Sequence, residues 1–257
     1  MKVITIPCLS DNFAYLIICE QTQTAAVIDV PEASPVLNAI NKEKVTLSAI
    51  LCTHHHADHI DGNDKVCKKY PGIDIVGHAS DKGRIPGQTV FLKGDETISI
   101  GELKGTWLYT PGHTMGGVTY CFQGAAFSGD ALFGGGCGRL FEGTPKDLYG
   151  ALNEKIGQLS PETKIYFGHE YTINNLRFAK SIEPDNPDLE KRITDEQAKL
   201  TSGKFTSPST LEMEKKTNPF MRCDSQAVIQ KAENYCRKSL KNPNEVFGVI
   251  RGMKDGF

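Results

Sequence analysis

Charge of one sign is the first thing this sequence lacks. Its 29 Lys and Arg residues nearly balance 31 Asp and Glu, leaving a formal charge of −2. So balanced a chain has no global field to draw in nucleic acid or an anionic membrane, and an acidic ligand must be met by local basic residues. Also missing is any uninterrupted apolar run near the roughly 20 residues that a bilayer-spanning helix requires. Residues 1–20 carry no basic stretch followed by a long apolar core, because Pro7, Ser10, Asp11 and Asn12 break it early; no secretory signal is expected. The eight cysteines form no C-x-x-C pair and lie mostly in apolar, strand-like runs, as reduced and buried thiols do. These absences predict a soluble, cytoplasmic protein with no nucleic-acid or membrane partner; a monomer is the working expectation, which no sequence feature decides. Internal repeats and low-complexity tracts are absent too. What remains is 257 residues, 39% hydrophobic, enough for one large core and a small appendage.

Up to about residue 170, short β-branched or aromatic runs alternate with Gly, Pro and Asp punctuation. The pattern predicts strands at Val3–Ile6, Phe13–Cys19, Ala25–Val30, Leu47–Cys52, Thr97–Ile100, Thr106–Tyr109, Gly117–Phe122, Ala125–Ser128 and Lys164–Phe167. Helices are predicted between them at Ser34–Lys42, Asn63–Lys69 and Thr144–Leu159, the last opening on an N-cap threonine and an N1 proline. After Tyr171 the strand-like alternation stops. Five helical patterns follow, at Ile173–Ser181, Asp188–Thr201, Ser209–Lys216, Ser225–Lys241 and Pro243–Met253. The expected division is a sheet-rich catalytic domain over residues 1–172 and a helical, substrate-binding domain over 173–257.

The chemistry is concentrated at strand ends. Thr53-His54-His55-His56-Ala57-Asp58-His59 leaves an apolar strand directly, and a loop leaving a strand can turn the i and i+2 side chains to one side. Imidazole and carboxylate suit zinc, iron and related divalent metals. A single histidine is usually a hydrogen-bonded surface residue, but that reading would have to hold four times over within one short loop. His113 follows Thr110-Pro111-Gly112, Asp130 closes Ser128-Gly129-Asp130, and His169 closes Phe167-Gly168-His169. Each is an everyday turn on its own; their shared position after an apolar strand points to one site.

This succession, H-x-H-x-D-H, then Pro-Gly-His, Gly-Asp and Gly-His, resembles the metallo-β-lactamase superfamily over residues 53–170. The resemblance implies an α+β fold, a four-layer αββα sandwich with the site on one edge, followed here by a helical domain. It also implies two divalent metal ions per chain, zinc foremost, with iron or manganese as the other candidates. His54, His56 and His113 would hold one ion, and Asp58, His59 and His169 the other, with Asp130 bridging. Asp58 and Asp130 would position the hydroxide that attacks. His55 and His78 receive no metal role. Two cations roughly 3.5–4 Å apart can share a hydroxide and polarise a carbonyl. Asp29 is similar to a family aspartate that orients the histidines from behind, although the usual Asp-Pro-Gly is here Asp29-Val30-Pro31. Asp11-Asn12-Phe13 resembles a family Asp-Asn-Tyr, and reads equally well as a turn opening a strand.

Within that superfamily the chain resembles the glyoxalase II enzymes from end to end. The Gly134–Thr144 stretch lacks the spacing of a phosphate loop and looks like their Gly-Cys-Gly-basic segment. His169-Glu170-Tyr171, Asn218-Pro219-Phe220-Met221-Arg222 and Arg251-Gly252-Met253-Lys254 have counterparts there as well. The implied reaction is hydrolysis of the thioester of a 2-hydroxyacyl-glutathione such as S-D-lactoylglutathione, giving glutathione and D-lactate in methylglyoxal detoxification. Arg251 and Lys254 would meet the glycine carboxylate, and Arg139, Tyr171, Phe141 and the backbone near Cys137 would line the tripeptide. Phe141 stands where some relatives carry tyrosine. Three other readings stay open at this level: a mononuclear-iron glutathione persulfide dioxygenase, a nuclease of the same fold, and a zinc-stabilised binding protein without catalysis.

Overall fold

The computed structural model describes residues 1–257. Its N-terminal part runs β1 (Lys2–Cys8), β2 (Asn12–Cys19), β3 (Thr24–Ile28), α1 (Ala33–Glu43), β4 (Thr46–Leu51), α2 (Ala57–Ile60), α3 (Asn63–Lys69), β5 (Asp74–His78) and β6 (Val90–Leu92). Next come β7 (Ile98–Ile100), β8 (Leu103–Tyr109), β9 (Val118–Phe122), β10 (Ala125–Gly129), a hairpin of β11 (Leu132–Phe133) and β12 (Gly136–Cys137), α4 (Pro145–Tyr149) and β13 (Lys164–Phe167). The remainder is helical: α5 (Thr172–Ile182), α6 (Pro187–Thr201), α7 (Leu211–Thr217), α8 (Gln226–Cys236) and α9 (Pro243–Asp255), with one short strand, β14 (Ser209–Thr210), before α7.

Two six-stranded sheets result, in the orders β1-β2-β3-β4-β5-β6 and β14-β13-β10-β9-β8-β7. The alternation along β2 shows why they stack. Phe13, Tyr15, Ile17 and Cys19 enter the main core, whereas Ala14, Leu16 and Ile18 enter a second one with Val36 and Ile40 of α1 and Val66 of α3. Both faces of the strand are dry, so its sequence reads as an unbroken apolar run. Opposite, Phe127 and Tyr166 meet Tyr15 across the gap between sheets. Their neighbours Ile165 and Phe167 must then face the other way, towards the helices that cover the second sheet. The architecture is the α+β, four-layer αββα sandwich that the resemblance implies.

Strands β5 and β6 were not anticipated, because Asp74, Gly77 and His78 dilute the apolar signal of the first and the second is only three residues long. The helix expected from Ser209 begins at Leu211; Ser209 and Thr210 instead pair with Ile165 and Lys164 of β13, and the Thr210 hydroxyl caps α7 by accepting from the Met213 amide. Residues after Tyr171 thus add a rung to the second sheet. The helix expected to reach Lys241 stops at Cys236, where Arg237 turns left-handed at φ 57°. The helix expected through Leu159 keeps its capping box, Thr144 with Asp147, but is α-helical only to Tyr149 and continues as a wider π-helical turn.

Strands β3, β4, β8, β10 and β13 all end at one edge of the sandwich, where backbone hydrogen bonds stitch the sheets together. The Val118 amide donates to the Thr53 carbonyl at 2.9 Å, and the Phe13 amide to the Gly168 carbonyl at 2.8 Å. Behind this edge a buried polar network fastens the helical region. Glu214, with no exposed surface, accepts from Arg192 Nη2 and Ser209 Oγ at 2.5 Å each. Its other oxygen accepts from the Gly135 amide at the hairpin tip at 2.8 Å and from Asn218 Nδ2 at 3.0 Å. Removing one partner of such a pair strands the other charge in a dry interior. Glu214→Ala should therefore cost about 3–5 kcal/mol of stability in urea denaturation; an unshifted midpoint would show that Arg192 finds another partner.

Candidate metal centre

The Asp29 side chain organises the edge where the strands end. Its backbone is left-handed, φ 54°, which aspartate tolerates better than most residues. Oδ1 accepts from the Thr53 amide, and Oδ2 from the Thr53 hydroxyl, at 2.7 Å each. Oδ2 also accepts from His59 Nδ1 at 2.8 Å. With its proton committed to Asp29, the Thr53 oxygen accepts from His54 Nδ1 at 3.1 Å. His113 Nδ1 donates to the Arg139 carbonyl at 2.8 Å, and His169 Nδ1 to Asp11 Oδ1 at 2.9 Å. Four rings are thus held by Nδ1 and left with Nε2 pointing inward, the arrangement typical of metal-ligating imidazoles.

Those inward atoms converge. His54 Nε2 and His113 Nε2 lie 3.1 and 3.0 Å from His56 Nδ1. His59 Nε2 and His169 Nε2 are 3.3 Å apart, and Asp58 Oδ2 is 3.4 Å from the latter. Asp130 sits between the two groups: Oδ1 is 3.3 Å from His59, and Oδ2 is 3.5 Å from His113 and 3.3 Å from His169. His54, His56 and His113 thus form one ligand-like group and Asp58, His59 and His169 another. At most one proton lies among the three facing nitrogens of the first group, and Asp130 Oδ1 is buried without a hydrogen-bond partner. The donors present therefore fit divalent metal ions.

The two groups hold protons differently. Burial pushes His54 and His113 below the ordinary imidazole range and takes His56 down to about 4. Burial also opposes charge on His59 and His169, but their carboxylate neighbours outweigh it. Asp130 and Asp29 hold His59 well up, and Asp130 and Asp58 raise His169 to about 10.

Two side chains here escaped full recognition in the sequence. Asp11 fixes His169, and Asn12 Nδ2 donates to the Asp58 carbonyl at 2.9 Å and to its carboxylate at 3.1 Å; the Asp-Asn pair read equally well as a turn. Val30, where the family's usual Asp-Pro-Gly has proline, donates its amide to the His59 carbonyl at 2.7 Å, a bond that proline could not make. Gly168 allows the closest approach of backbone to ligands: a Cβ there would lie 2.2 Å from Asp130 Oδ1 and 2.9 Å from His59 Cε1.

Above the ligands opens a cleft of about 500 Å³. Phe141, largely exposed, stands edge-on to His56 and His113 with ring centroids 5.5 and 5.3 Å away. Tyr171 stacks on His169 at 4.7 Å, and Phe133, which nothing in the sequence singled out, completes the aromatic wall. Arg139 lines the rim, its guanidinium 5.7 Å from the Phe141 ring. The other three residues assigned to substrate lie elsewhere. Cys137 is buried; Arg251 is buried as well, donating to the Cys137 carbonyl at 2.9 Å and to Asp255 at 3.1 Å. Lys254 lies over Phe178 and Phe257, and burial beside Arg251 pulls its amine down to about 8. His78 stacks on Tyr109 and His55 turns outward, both away from the ligands.

The fold and this cluster of imidazoles and carboxylates define a protein of the metallo-β-lactamase class, and comparison with known proteins agrees. The metallo-beta-lactamase superfamily model matches residues 13–169, and the hydroxyacylglutathione hydrolase C-terminus model matches residues 170–257. Hydroxyacylglutathione hydrolases of a Synechococcus and a Synechocystis species are 45% and 41% identical, each over the whole of both chains. The chain belongs to the hydroxyacylglutathione hydrolase family of the metallo-β-lactamase superfamily. Among solved structures, ETHE1 from Myxococcus xanthus shares the fold with a TM-score of 0.66 at 24% identity, covering 99% of this chain and 98% of that one. The BLEG-1 B3 metallo-beta-lactamase does so with a TM-score of 0.65 at 23% identity, over 86% and 99%.

Ion uptake should report the difference between the two groups. A ligand nitrogen must be free of its proton, so near pH 7 the first group is ready, whereas His59 and His169 must release protons from Nε2. Titrating metal into ion-free protein, with calorimetry in buffers of different ionisation enthalpy, should show one step with substantial proton release and one with little. Equal release in both steps would contradict the assignment. Gly168→Ala should lower metal content while leaving the far-ultraviolet circular dichroism unchanged; full metal content would show that Asp130 can move aside.

Proposed function

We infer that this chain hydrolyses the thioester of a 2-hydroxyacyl-glutathione, with S-D-lactoylglutathione as the expected substrate, yielding glutathione and a 2-hydroxy acid. The observation that carries this reading is the convergence of five imidazoles and two carboxylates on the floor of a cleft whose wall reaches the family's own C-terminal region. We take residues 1–172 as the catalytic part and 173–257 as the substrate-binding part. Two divalent cations, zinc foremost, would be held by His54, His56 and His113 and by Asp58, His59 and His169, with Asp130 between them. When bound, such a pair supplies Lewis acidity and brings the pKa of water towards neutrality.

The chain's own residues supply orientation and exclusion. Asp58, fixed by Asn12 and half open to the cleft, can accept a hydrogen bond from the attacking water and aim it, and Asp130 can do so from the buried side. Phe133, Phe141 and Tyr171 shed bulk water from the acyl carbon. The departing thiol, with a pKa of roughly 8.5, can leave as thiolate, so no proton donor beyond the ligands is required. An amide, whose amine leaving group needs a proton, is served less well. On the rim, Arg139 lies 3.7 Å from Asp255, which places the Arg139 guanidinium next to the end of α9 that carries Lys254. Arg139 and Lys254 are the cations we assign to the carboxylates of glutathione, while Arg251 acts through the Cys137 carbonyl that it holds. The eight unpaired cysteines support a reducing compartment such as the cytoplasm. The dioxygenase and nuclease readings gain no comparable support, since the full-length relatives at 41–45% identity are named as hydrolases.

Thiol release from S-D-lactoylglutathione, followed with and without chelator and alongside a β-lactam control, tests the assignment. Only the thioester should be turned over, chelator should abolish turnover, and Asp130→Ala should do the same while leaving the fold intact. Rapid β-lactam cleavage without thiol release would reject the substrate class.

A further inference from the structure

Between the inward-facing His54 and His56, the side chain of His55 points out of the site and meets a buried charged cluster with no assigned role. His55 Nδ1 lies 3.0 Å from Asp81 Oδ1, and the Asp81 side chain has no exposed surface. Neither Asp81 oxygen has a hydrogen bond of good geometry. Arg84 Nη1 stands 3.8 Å from the same carboxylate and pairs with Glu142, whose other oxygen accepts from the Met115 amide at 2.7 Å. The backbone at Gly116 rests directly on Asp81; a Cβ there would come within 2.2 Å of the carboxylate.

A buried carboxylate without a well-formed hydrogen bond is costly to keep, and its placement indicates what it orders. Through His55 it holds the loop that presents His54 and His56. Through Gly116 it bears on the loop that presents His113. Arg84 and Glu142 tie both to the Arg139–Glu142 segment, whose Arg139 carbonyl fixes His113 Nδ1. No member of the cluster contacts Asp58, His59 or His169, which are backed by Asn12, Asp29 and Asp11.

We propose that Asp81, acting through His55, is a positioning residue for one ion subsite alone, the His54/His56/His113 group. Because the three consecutive histidines share one stretch of backbone, releasing the outward ring frees both inward ones to rotate. The proposal rests on the ligand assignment above. Substituting partners that lie behind metal ligands weakens binding about 10–100-fold, and here the loss should fall on one ion.

The test uses the full chain loaded with cobalt(II). Paramagnetically shifted imidazole N–H resonances separate a three-histidine set from a two-histidine set, and a chelator titration ranks their affinities. In Asp81→Asn the three-histidine set should be lost first, at about 10–100-fold lower chelator than in the unsubstituted chain, while the two-histidine set keeps its midpoint. His55→Leu should behave likewise, and His55→Asn, which keeps a polar side chain beside Asp81, should recover most of the affinity. Asp11→Asn should weaken the other set instead. Unchanged curves for Asp81→Asn, parallel loss of both sets, or identical curves for His55→Leu and His55→Asn would each overturn the proposal. Should Asp81→Asn fail to fold, the two His55 variants decide. An unsubstituted chain that binds fewer than two ions would instead overturn the ligand assignment itself.

Discussion

Much of this structure hangs on where one carboxylate finds its hydrogens. Asp29 takes three, from the Thr53 amide, the Thr53 hydroxyl and His59, and so decides which nitrogen of two different rings faces inward. It can do so because the chain leaves β3 through a left-handed residue and turns the carboxylate under β4. His54 belongs to one ligand group and His59 to the other, so a single side chain sets the tautomers of both. The neighbouring Val30 adds a backbone bond to the His59 carbonyl where a proline would have none.

Fastening then divides. Asp11 and Asn12 at the β1–β2 turn serve His169 and Asp58, whereas a separate charged cluster lies behind the three histidines of the other group. The candidate ligands lie on the strand-end loops and on the short helix α2, and the strands are locked across the two sheets by the Thr53–Val118 and Gly168–Phe13 bonds. Rigidity at the floor contrasts with the wall above, where Phe141, Tyr171 and Arg139 remain accessible. A floor of ordered donors under a wall of adaptable aromatics suits an ester of a small acid with a large, flexible thiol: chemistry is fixed below and recognition is distributed above.

The candidate ligands could be named from the sequence because they follow apolar strands within a few residues and are residue types with few other reasons to be there, and the structure brings them together. The strand ends were legible too, since β2, β4 and β13 are buried on both faces and read as apolar runs. What could not be read was anything decided by distant partners. Asp81 looks like an ordinary acid in a polar stretch, and only its contact with Gly116 and His55 makes it buried. Arg251 and Lys254 look like a solvated pair near the end of the chain, yet one lies beneath the hairpin and the other over two phenylalanine rings. Strand β14 was missed because two residues carry no periodicity; its pairing comes from β13, not from its own composition.

That two-residue rung carries a further implication. It belongs to the helical third of the chain, yet it completes the sheet beside the very strand that ends in His169. With Glu214 also accepting from the amide at the tip of the hairpin, the helices join the sheet that leads to Asp130 and His169 at two points. They are continuous with the second sheet and not a separate body resting on it. Exchanging this cap for another, as a route to new substrates, would demand that the incoming segment reproduce the rung as well as the pocket.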